Sequence, residues 1–327
     1  MKRLFALSLC LCLFPLADPA RAQESPPSPA AAELSLMTGR EAGTYYQIGR
    51  DLKQLAGRHQ IDLDVIPSAG SLENIFKVYE YPSIQLGLSQ FDTLSLIAMQ
   101  AAVGDDADAE ELQNVVNSMQ LVLPLYQEEV HVLAKSPEIK QFADLNGKKV
   151  AMGDVVSGTY GTASILLELF QIKPAEQLEL DAVAALDALR QGQVDAMIYV
   201  VGAPAKLFVR PFETGEQPHL VSVTIPDKAA KHDIFQSFYR ATTIPAGTYG
   251  WQDQEVATLA VGTVLFTSDK GPDEERCRAI GRFARMVYDN LDGLRGSGHP
   301  KWKNVTIDRE ALLKAPHLSP CVAQAFK

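Results

Sequence analysis

Hydrophobic positions in residues 33–88 switch repeatedly between strand-like and helix-like spacing. Short strand-like segments are rich in apolar residues, whereas in the helix-like segments apolar residues recur every three or four positions. The strand-like segments cover residues 34–37, 61–65 and 84–88, and the helical segments cover 44–56 and 72–79. The resulting βαβαβ order predicts an α/β fold with doubly wound, mainly parallel sheets.

The same alternation continues in the second half of the chain. Residues 149–152 and the continuous apolar run 196–201 predict buried strands, and residues 160–170 predict a helix between them. Residues 220–225 predict another strand, and residues 273–291 carry apolar side chains in helical phase. The pattern therefore predicts a second α/β unit of similar size.

Two regions are less regular. Residues 115–125 and 130–134 predict strands, separated by the polar triplet Gln127-Glu128-Glu129. Residues 256–266 form a long apolar run, which favours a helix over a strand.

The repeated α/β pattern predicts two lobes with a ligand cleft between them. We place the first crossing between lobes at Leu123-Pro124-Leu125. Lobe 1 is then expected to contain residues 33–124 and about 245–327, and lobe 2 residues 125–244.

Residues 1–22 have the features of a cleavable export signal. Lys2 and Arg3 precede an apolar run at residues 4–16, and Ala20 and Ala22 supply the small residues of a cleavage site. The run is shorter than the roughly 20 residues of a membrane span; an uncleaved interfacial anchor is the alternative. We therefore expect a periplasmic or otherwise extracytoplasmic protein, with residues 23–32 as a flexible Pro- and Ala-rich leader.

The composition is that of an ordinary globular protein. Of 327 residues, 46% are hydrophobic and 21% are charged, and the length fits two domains. A net charge of −10 argues against nucleic-acid binding, which needs clustered Lys and Arg. Loss of residues 1–22 removes more basic than acidic residues, so the mature chain is more acidic still.

The four cysteines fall into two pairs. Cys10 and Cys12 lie inside the predicted signal, which leaves Cys277 and Cys321 in the mature chain. An even count in an oxidising compartment predicts one disulfide between them. A metal-binding or catalytic thiol is the alternative, but no paired Cys or His spacing accompanies either residue.

Three turns rich in Gly and hydroxyl residues, at 38–46, 68–74 and 157–161, open predicted helices, and the first two directly follow predicted strands. Gly lets the backbone approach a ligand, Ser or Thr caps the helix, and the helix N-terminus favours an anion. Taken singly, each of these turns also fits the composition of an ordinary capped turn. Together they predict a cleft for a small anionic group at the carboxyl ends of the strands. No G-x-G-x-x-G or phosphate-loop motif is present.

The order of these motifs resembles the TAXI family, the extracytoplasmic solute-binding proteins of one class of TRAP transporter. The resemblance covers roughly residues 33–295. The matching segments are Thr38-Gly39, Gly43-Thr44-Tyr45-Tyr46, Ser68-Ala69-Gly70-Ser71-Leu72-Glu73-Asn74, Gly87-Leu88-Ser89-Gln90-Phe91-Asp92, Ser157-Gly158-Thr159 and Ile244-Pro245-Ala246-Gly247-Thr248-Tyr249.

The resemblance implies a two-lobed type II periplasmic-binding-protein fold, a TRAP-type membrane permease as partner, and a small carboxylate ligand such as a glutamate-like or dicarboxylic acid. It also implies ligand contacts from both lobes. These are Gly43, Thr44, Tyr45, Ser71 and Asn74, with Gln90 and Asp92 at the cleft edge, and Ser157, Gly158 and Thr159 from lobe 2.

Arg40 interrupts a turn that is usually richer in Gly in this family. Its guanidinium fork suits a carboxylate, so it could pair with the ligand. A solvated Arg40 paired with Glu41 is the other reading, and the sequence does not choose between them.

The sequence favours a binding protein over an enzyme. The six His residues are scattered, and neither an H-E-x-x-H nor a G-x-S-x-G motif occurs. No catalytic residue, metal or cofactor is expected, and the predicted function is capture of a small organic acid by a monomeric receptor. An enzyme or a sensory ligand-binding module on the same two-lobed fold is the alternative.

Overall fold

The computed structural model describes residues 33–104, 106–209, 212, 218–226 and 237–327. The predicted export signal and leader lie outside the described residues. Among the described residues, no helix combines the length and the apolar character needed to cross a membrane.

Strands and helices alternate through most of the described chain. The strands are β1 Leu34–Met37, β2 Leu63–Ile66, β3 Leu86–Gln90, β4 Met119–Ala134, β5 Lys149–Ala151, β6 Glu176–Leu178, β7 Ala196–Val201, β8 His219–Leu220, β9 Tyr239–Ile244 and β10 Val256–Ser268. The helices are α1 Thr44–Arg58, α2 Ser71–Glu80, α3 Phe91–Val103, α4 Ala107–Ser118, α5 Gly158–Leu169, α6 Ala182–Arg190, α7 Lys206–Val209, α8 Glu274–Asp289, α9 Leu291–Ser297, α10 Arg309–Leu313 and α11 Pro320–Ala325. Two short 3-10 helices lie at Phe142–Leu145 and Pro300–Asn304.

The described strands form one sheet in the order β2-β1-β3-β10-β4-β7-β5-β6, with β9 paired to β10 and β8 to β4. Two groups of parallel strands flank the centre: β1–β3, the first strand group, and β5–β7, the second strand group. The long strands β4 and β10 are antiparallel to each other and to the strands beside them. The predicted α/β fold with parallel βα units is confirmed.

The two irregular regions of the sequence were predicted only in part. Residues 256–266 form strand β10 and not a helix. This strand is rich in Val and Thr, which favour strands, and it pairs with β3, β4 and β9.

β4 is one strand of 16 residues, although a break at Gln127-Glu128-Glu129 was predicted. The triplet stays in the sheet because it pairs with Gly262, Val261 and Ala260 of β10. The predicted strand also began too early. Residues 115–118 complete helix α4, which Asp106 caps by accepting a hydrogen bond from the amide of Ala109 at 3.0 Å.

The apolar core changes partway along the two long strands. In β4, Val122 and Tyr126 pack with the first strand group and α8, whereas Val130 and Val132 pack with the second strand group and α5. This change within β4 lies a few residues after the predicted first crossing. The lobe boundaries stay a prediction.

The predicted disulfide between Cys277 and Cys321 is confirmed. It joins α8 to α11, and the two Cα atoms lie 4.9 Å apart. The bond holds the C-terminal helix against the helix that packs on the first strand group.

Candidate functional site

The three Gly- and hydroxyl-rich turns meet at one pocket. They connect β1 to α1, β2 to α2 and β5 to α5, and each helix begins at the pocket wall. The pocket has a cavity volume of about 80 Å³. Its lining residues are Gly39, Arg40, Gly43, Thr44, Tyr45, Ala69, Gly70, Ser71, Gln90, Glu128, Gly153, Asp154, Ser157, Gly158, Thr159, Asp181, Ala182, Ile198, Tyr199, Val200 and Val201.

Helix α1 begins at the pocket with no side-chain cap, because Gly43 is its N-cap. The first amides of a helix have no partner within the helix and are open to an acceptor. Thr44 donates its hydroxyl to the carbonyl of Gly202 at 3.2 Å, and Tyr45 lies 3.3 Å from the hydroxyl of Ser71. The first amides of α1 therefore remain available to an acceptor, while the side chains of Thr44 and Tyr45 contact Gly202 and Ser71.

Helices α2 and α5 begin face to face. Gly70, the N-cap of α2, has a φ of +131°, a conformation that favours glycine. A Cβ there would lie 3.5 Å from the Cα of Ser157, and a backbone hydrogen bond of 3.0 Å runs from Glu73 to Val156. The turn of the first strand group therefore packs directly on the turn of the second.

The turn before α5 uses two hydroxyls for local order. Ser157 is the N-cap of α5 and accepts a hydrogen bond from the amide of Tyr160 at 3.2 Å. Thr159 accepts one from the amide of Val200 in β7 at 3.1 Å. These bonds fix the start of α5 against β7, where Gly158 and Thr159 form part of the cavity wall.

The most buried charged group of the lining is Glu128, whose residue is 3% exposed. Gln90 donates its side-chain amide to Oε2 of Glu128 at 2.8 Å. Burial raises the pKa of Glu128 to about 8, although hydrogen bonds from Gln90 and Tyr45 act in the opposite direction. The sequence prediction missed this residue. The available signal was a pair of acidic residues, Glu128 and Glu129, between two strongly apolar segments, because acidic side chains are rarely buried without a specific role.

Two predicted contacts lie outside the lining. Asn74 donates to the carbonyls of Thr38 at 2.6 Å and Leu88 at 2.7 Å, and it accepts from the hydroxyl of Ser68 at 2.6 Å. These bonds join α2 to β1 and β3. The structure thus gives Asn74 a role in shaping the turn, behind the cavity wall.

Asp92 also lies behind the wall, at the start of α3. Its Oδ2 accepts hydrogen bonds from Thr162 of α5 at 2.7 Å and Tyr239 of β9 at 2.6 Å. Burial raises its pKa to about 6, and the hydrogen bonds from Tyr239 and Thr162 oppose this shift. The Asp92 carboxyl group therefore links the start of α3 to helix α5 and strand β9.

Arg40 lies at the pocket mouth, with its side chain 48% exposed. Its guanidinium contacts Asp154 at 2.8 Å and Asp181 at 3.6 Å. Both carboxylates follow strands of the second strand group, so the pairing with Glu41 is wrong, whereas pairing of Arg40 with a ligand stays a prediction. The partner is not Glu41 but a pair of acids more than 100 residues away.

The arrangement suits reversible binding of a small polar molecule. The lining supplies backbone amides, hydroxyls and one buried carboxyl group, and contains neither His nor Cys. Within the part of the chain that the structure describes, no cluster of three or more His, Cys, Asp or Glu side chains could hold a metal ion.

Known proteins show related sequences and folds. A model of the NMT1-like family matches residues 36–327. MatC from Rhodopseudomonas palustris with bound malate is 16% identical, with 90% of this chain and 94% of that chain covered and a TM-score of 0.50. An arginine transport-system periplasmic binding protein from Legionella pneumophila is 14% identical, with 80% and 96% covered and a TM-score of 0.45. At these identities the likeness concerns the fold alone.

Proposed function

The chain belongs to the NMT1-like family, and from that premise we propose that it is an extracytoplasmic solute-binding protein for a small organic anion. The observation that carries the proposal is the convergence of three helix N-termini, from α1, α2 and α5, on one small cavity. Helix N-termini offer unpaired N–H groups and a positive dipole end, so they attract a carboxylate or similar anion.

The proposed mechanism is capture without chemistry. The anionic group would accept hydrogen bonds from the first-turn amides of α1 and α5, which belong to opposite strand groups. Hinge motion in the long strands β4 and β10 would open and close the cavity. The direct contacts of Thr44 with Gly202 and of Glu73 with Val156 would then complete the closed state.

A more specific part of the proposal concerns the chemical class of the ligand and the identity of the membrane partner. The ordered motifs that resemble the TAXI family support a carboxylate ligand and delivery to a TRAP-type permease. The malate bound to MatC is an example of a small organic anion held by a protein with a related fold. The basic and apolar start of the chain supports export through a cleavable signal.

A thermal-shift screen tests the proposal. The exported protein is melted with C4-dicarboxylates, 2-oxoglutarate, amino acids and phosphate-bearing metabolites. A ligand present at a hundredfold excess over its Kd stabilises the native state by roughly 2.7 kcal/mol, which gives a clear rise in melting temperature. Failure of every small anion to raise it would refute the proposed function.

Point variants test the placement of the site. Thr44→Ala and Ser71→Ala remove hydroxyls that lie in the pocket wall, so both should weaken binding of the ligand found in the screen. Thr306→Ala changes an exposed threonine away from the lining and is the matched control. Equal affinity in all three variants and the wild type would place the site elsewhere.

A further inference from the structure

The charges of the pocket lining are distributed unevenly. Its acids are Glu128 at the buried end and Asp154 and Asp181 at the mouth, and its only cation among the described residues is Arg40. The guanidinium of Arg40 is already engaged by both mouth acids, at 2.8 and 3.6 Å. The deep end of the cavity therefore has an acid and no cation of its own.

The nearest buried cation, Lys301, compensates Glu128 only in part: its charge lowers the pKa of Glu128, but less than the hydrogen bonds from Gln90 and Tyr45 do. Lys301 is 2% exposed, and its ammonium contacts both carboxylate oxygens of Glu129, at 2.5 and 2.7 Å. Glu128 instead receives only neutral donors, the side-chain amide of Gln90 at 2.8 Å and the phenol of Tyr45. A carboxyl group buried without a cation in direct contact favours its neutral form until a charged partner arrives.

These donors orient the carboxyl group of Glu128 as an acceptor. A simple mono- or dicarboxylate placed against α1, α2 and α5 would bring a negative group into the same small cavity and would favour the protonated form of Glu128 further. A ligand with an ammonium group would instead pair with Glu128 and favour its ionised form. The helix N-termini would hold the carboxylate of the same ligand.

We infer that Glu128 is the specificity-determining residue for a positively charged amino group, and that the ligand is a small amino acid and not an amine-free organic acid. This inference rests on the proposed function and assigns the charge pattern of its ligand. The cavity of about 80 Å³ limits the molecule to a small one in this conformation. The raised pKa of Glu128 is consistent with a carboxyl group that lacks a cation until the ligand binds.

Matched ligand pairs test the inference on the unaltered protein. Isothermal titration calorimetry at pH 7 compares alanine with propionate, aspartate with succinate, and glutamate with glutarate, where each pair differs by the amino group. We expect at least one amino acid to bind, and its amine-free counterpart to bind at least tenfold more weakly.

Glu128→Gln tests the residue, because it keeps the shape of the side chain and removes the charge. We expect it to weaken amino-acid binding at least tenfold and to leave the binding of amine-free acids equal or stronger. Glu110→Gln makes the same chemical change on the exposed face of α4 and should leave both affinities unchanged. Denaturation of each variant checks that it is folded.

The outcomes separate the two proposals. If neither series binds, the amino-group inference fails, and the thermal-shift screen decides whether the proposed function fails with it. If amine-free acids bind as tightly as their amino counterparts, the solute-binding function stands and the inference about Glu128 is overturned. Carboxylate binding that weakens as the pH rises through 8 would also overturn it, because Glu128 would then act as a protonated donor.

Discussion

Among the glycines of the pocket lining, Gly158 has the least space for a side chain. A Cβ at this position would lie 2.2 Å from Oε1 of Gln90 and 2.5 Å from Oγ of Ser71. Both neighbours belong to the first strand group's side of the cavity, whereas Gly158 begins α5. Only a hydrogen atom fits in this space, so the glycine permits contact between the two sides of the site.

Gly158→Ala should therefore oppose the closed state. Overpacking costs roughly 1–3 kcal/mol, which corresponds to about a five- to 150-fold loss of affinity for the ligand found in the screen. Gly293→Ala is the matched control, because no atom lies within 4 Å of a Cβ built there. Calorimetric titration of both variants measures the effect, and equal affinities would contradict the predicted clash.

Asp92 makes stability depend on pH in a defined direction. Burial raises its pKa from 3.8 to about 6, so the native state holds the proton more tightly than the unfolded state. The stabilising contribution is fully present below about pH 4 and is lost as the pH rises through about 6.

Asp92→Asn removes this ionisation. The free energy of unfolding of the variant, relative to the wild type, should rise by up to about 3 kcal/mol between pH 4 and pH 7. Urea denaturation at several pH values measures the difference, with Asp62→Asn on the surface as the control. A difference that does not change with pH would show that Asp92 is not the titrating group.

Among the elements, β4 and β10 decide how the two strand groups are joined. Their residues pair with each other along most of their length, and β4 also carries Glu128 and Glu129. Glu129 accepts from the ammonium of Lys301, in the 3-10 helix Pro300–Asn304, and from the amide of Ala203 at 2.7 Å. A buried ion pair thus anchors a C-terminal segment to the middle of β4.

Lys301→Met should be strongly destabilising, because it leaves the Glu129 carboxylate buried without a cation. Breaking a buried pair in this way costs roughly 3–5 kcal/mol, and Glu129→Gln in the same chain should recover part of the loss. Lys149→Met breaks an exposed pair with Glu176, with side chains 56% and 51% exposed, and should cost no more than about 1 kcal/mol. Urea denaturation compares the variants; equal losses would mean that the Lys301 pair behaves as a surface pair.

At the scale of the whole molecule, polar contacts join the two sides of the pocket at several depths. Asp92 and its partners lie behind the wall, and Arg40 with Asp154 lies at the mouth. The exposed mouth pair contributes little energy in solution. Its position at the opening nevertheless makes it suited to influence how often the cavity opens.

Arg40→Gln should shift the protein towards open conformations by a small amount. An exposed pair is worth up to about 1 kcal/mol, so ligand dissociation should accelerate by no more than about fivefold. Arg282→Gln breaks another exposed pair, with Glu33, and should leave the rate unchanged. Stopped-flow experiments measure the ligand dissociation rate of both variants. A loss of binding by several hundredfold would instead indicate that Arg40 holds the ligand.

The sequence by itself determined the features that depend on a few neighbouring residues. These include the order of strands and helices from β1 to β3, the turns that open α1, α2 and α5, and the pairing of the two cysteines that lie outside the predicted export signal. Helical phase, capping and turn chemistry act over one or two turns of chain, so they can be recognised without knowing the fold.

Only the tertiary structure decided the features that depend on distant partners. Residues 256–266 are a strand because β3, β4 and β9 pair with them, and an apolar run alone suits either structure. Glu128 faces the cavity, and Arg40 pairs with Asp154, because the sheet brings together segments far apart in the chain. Periodicity gives the position of a side chain on its own element, whereas packing of that element against others decides which groups the side chain meets.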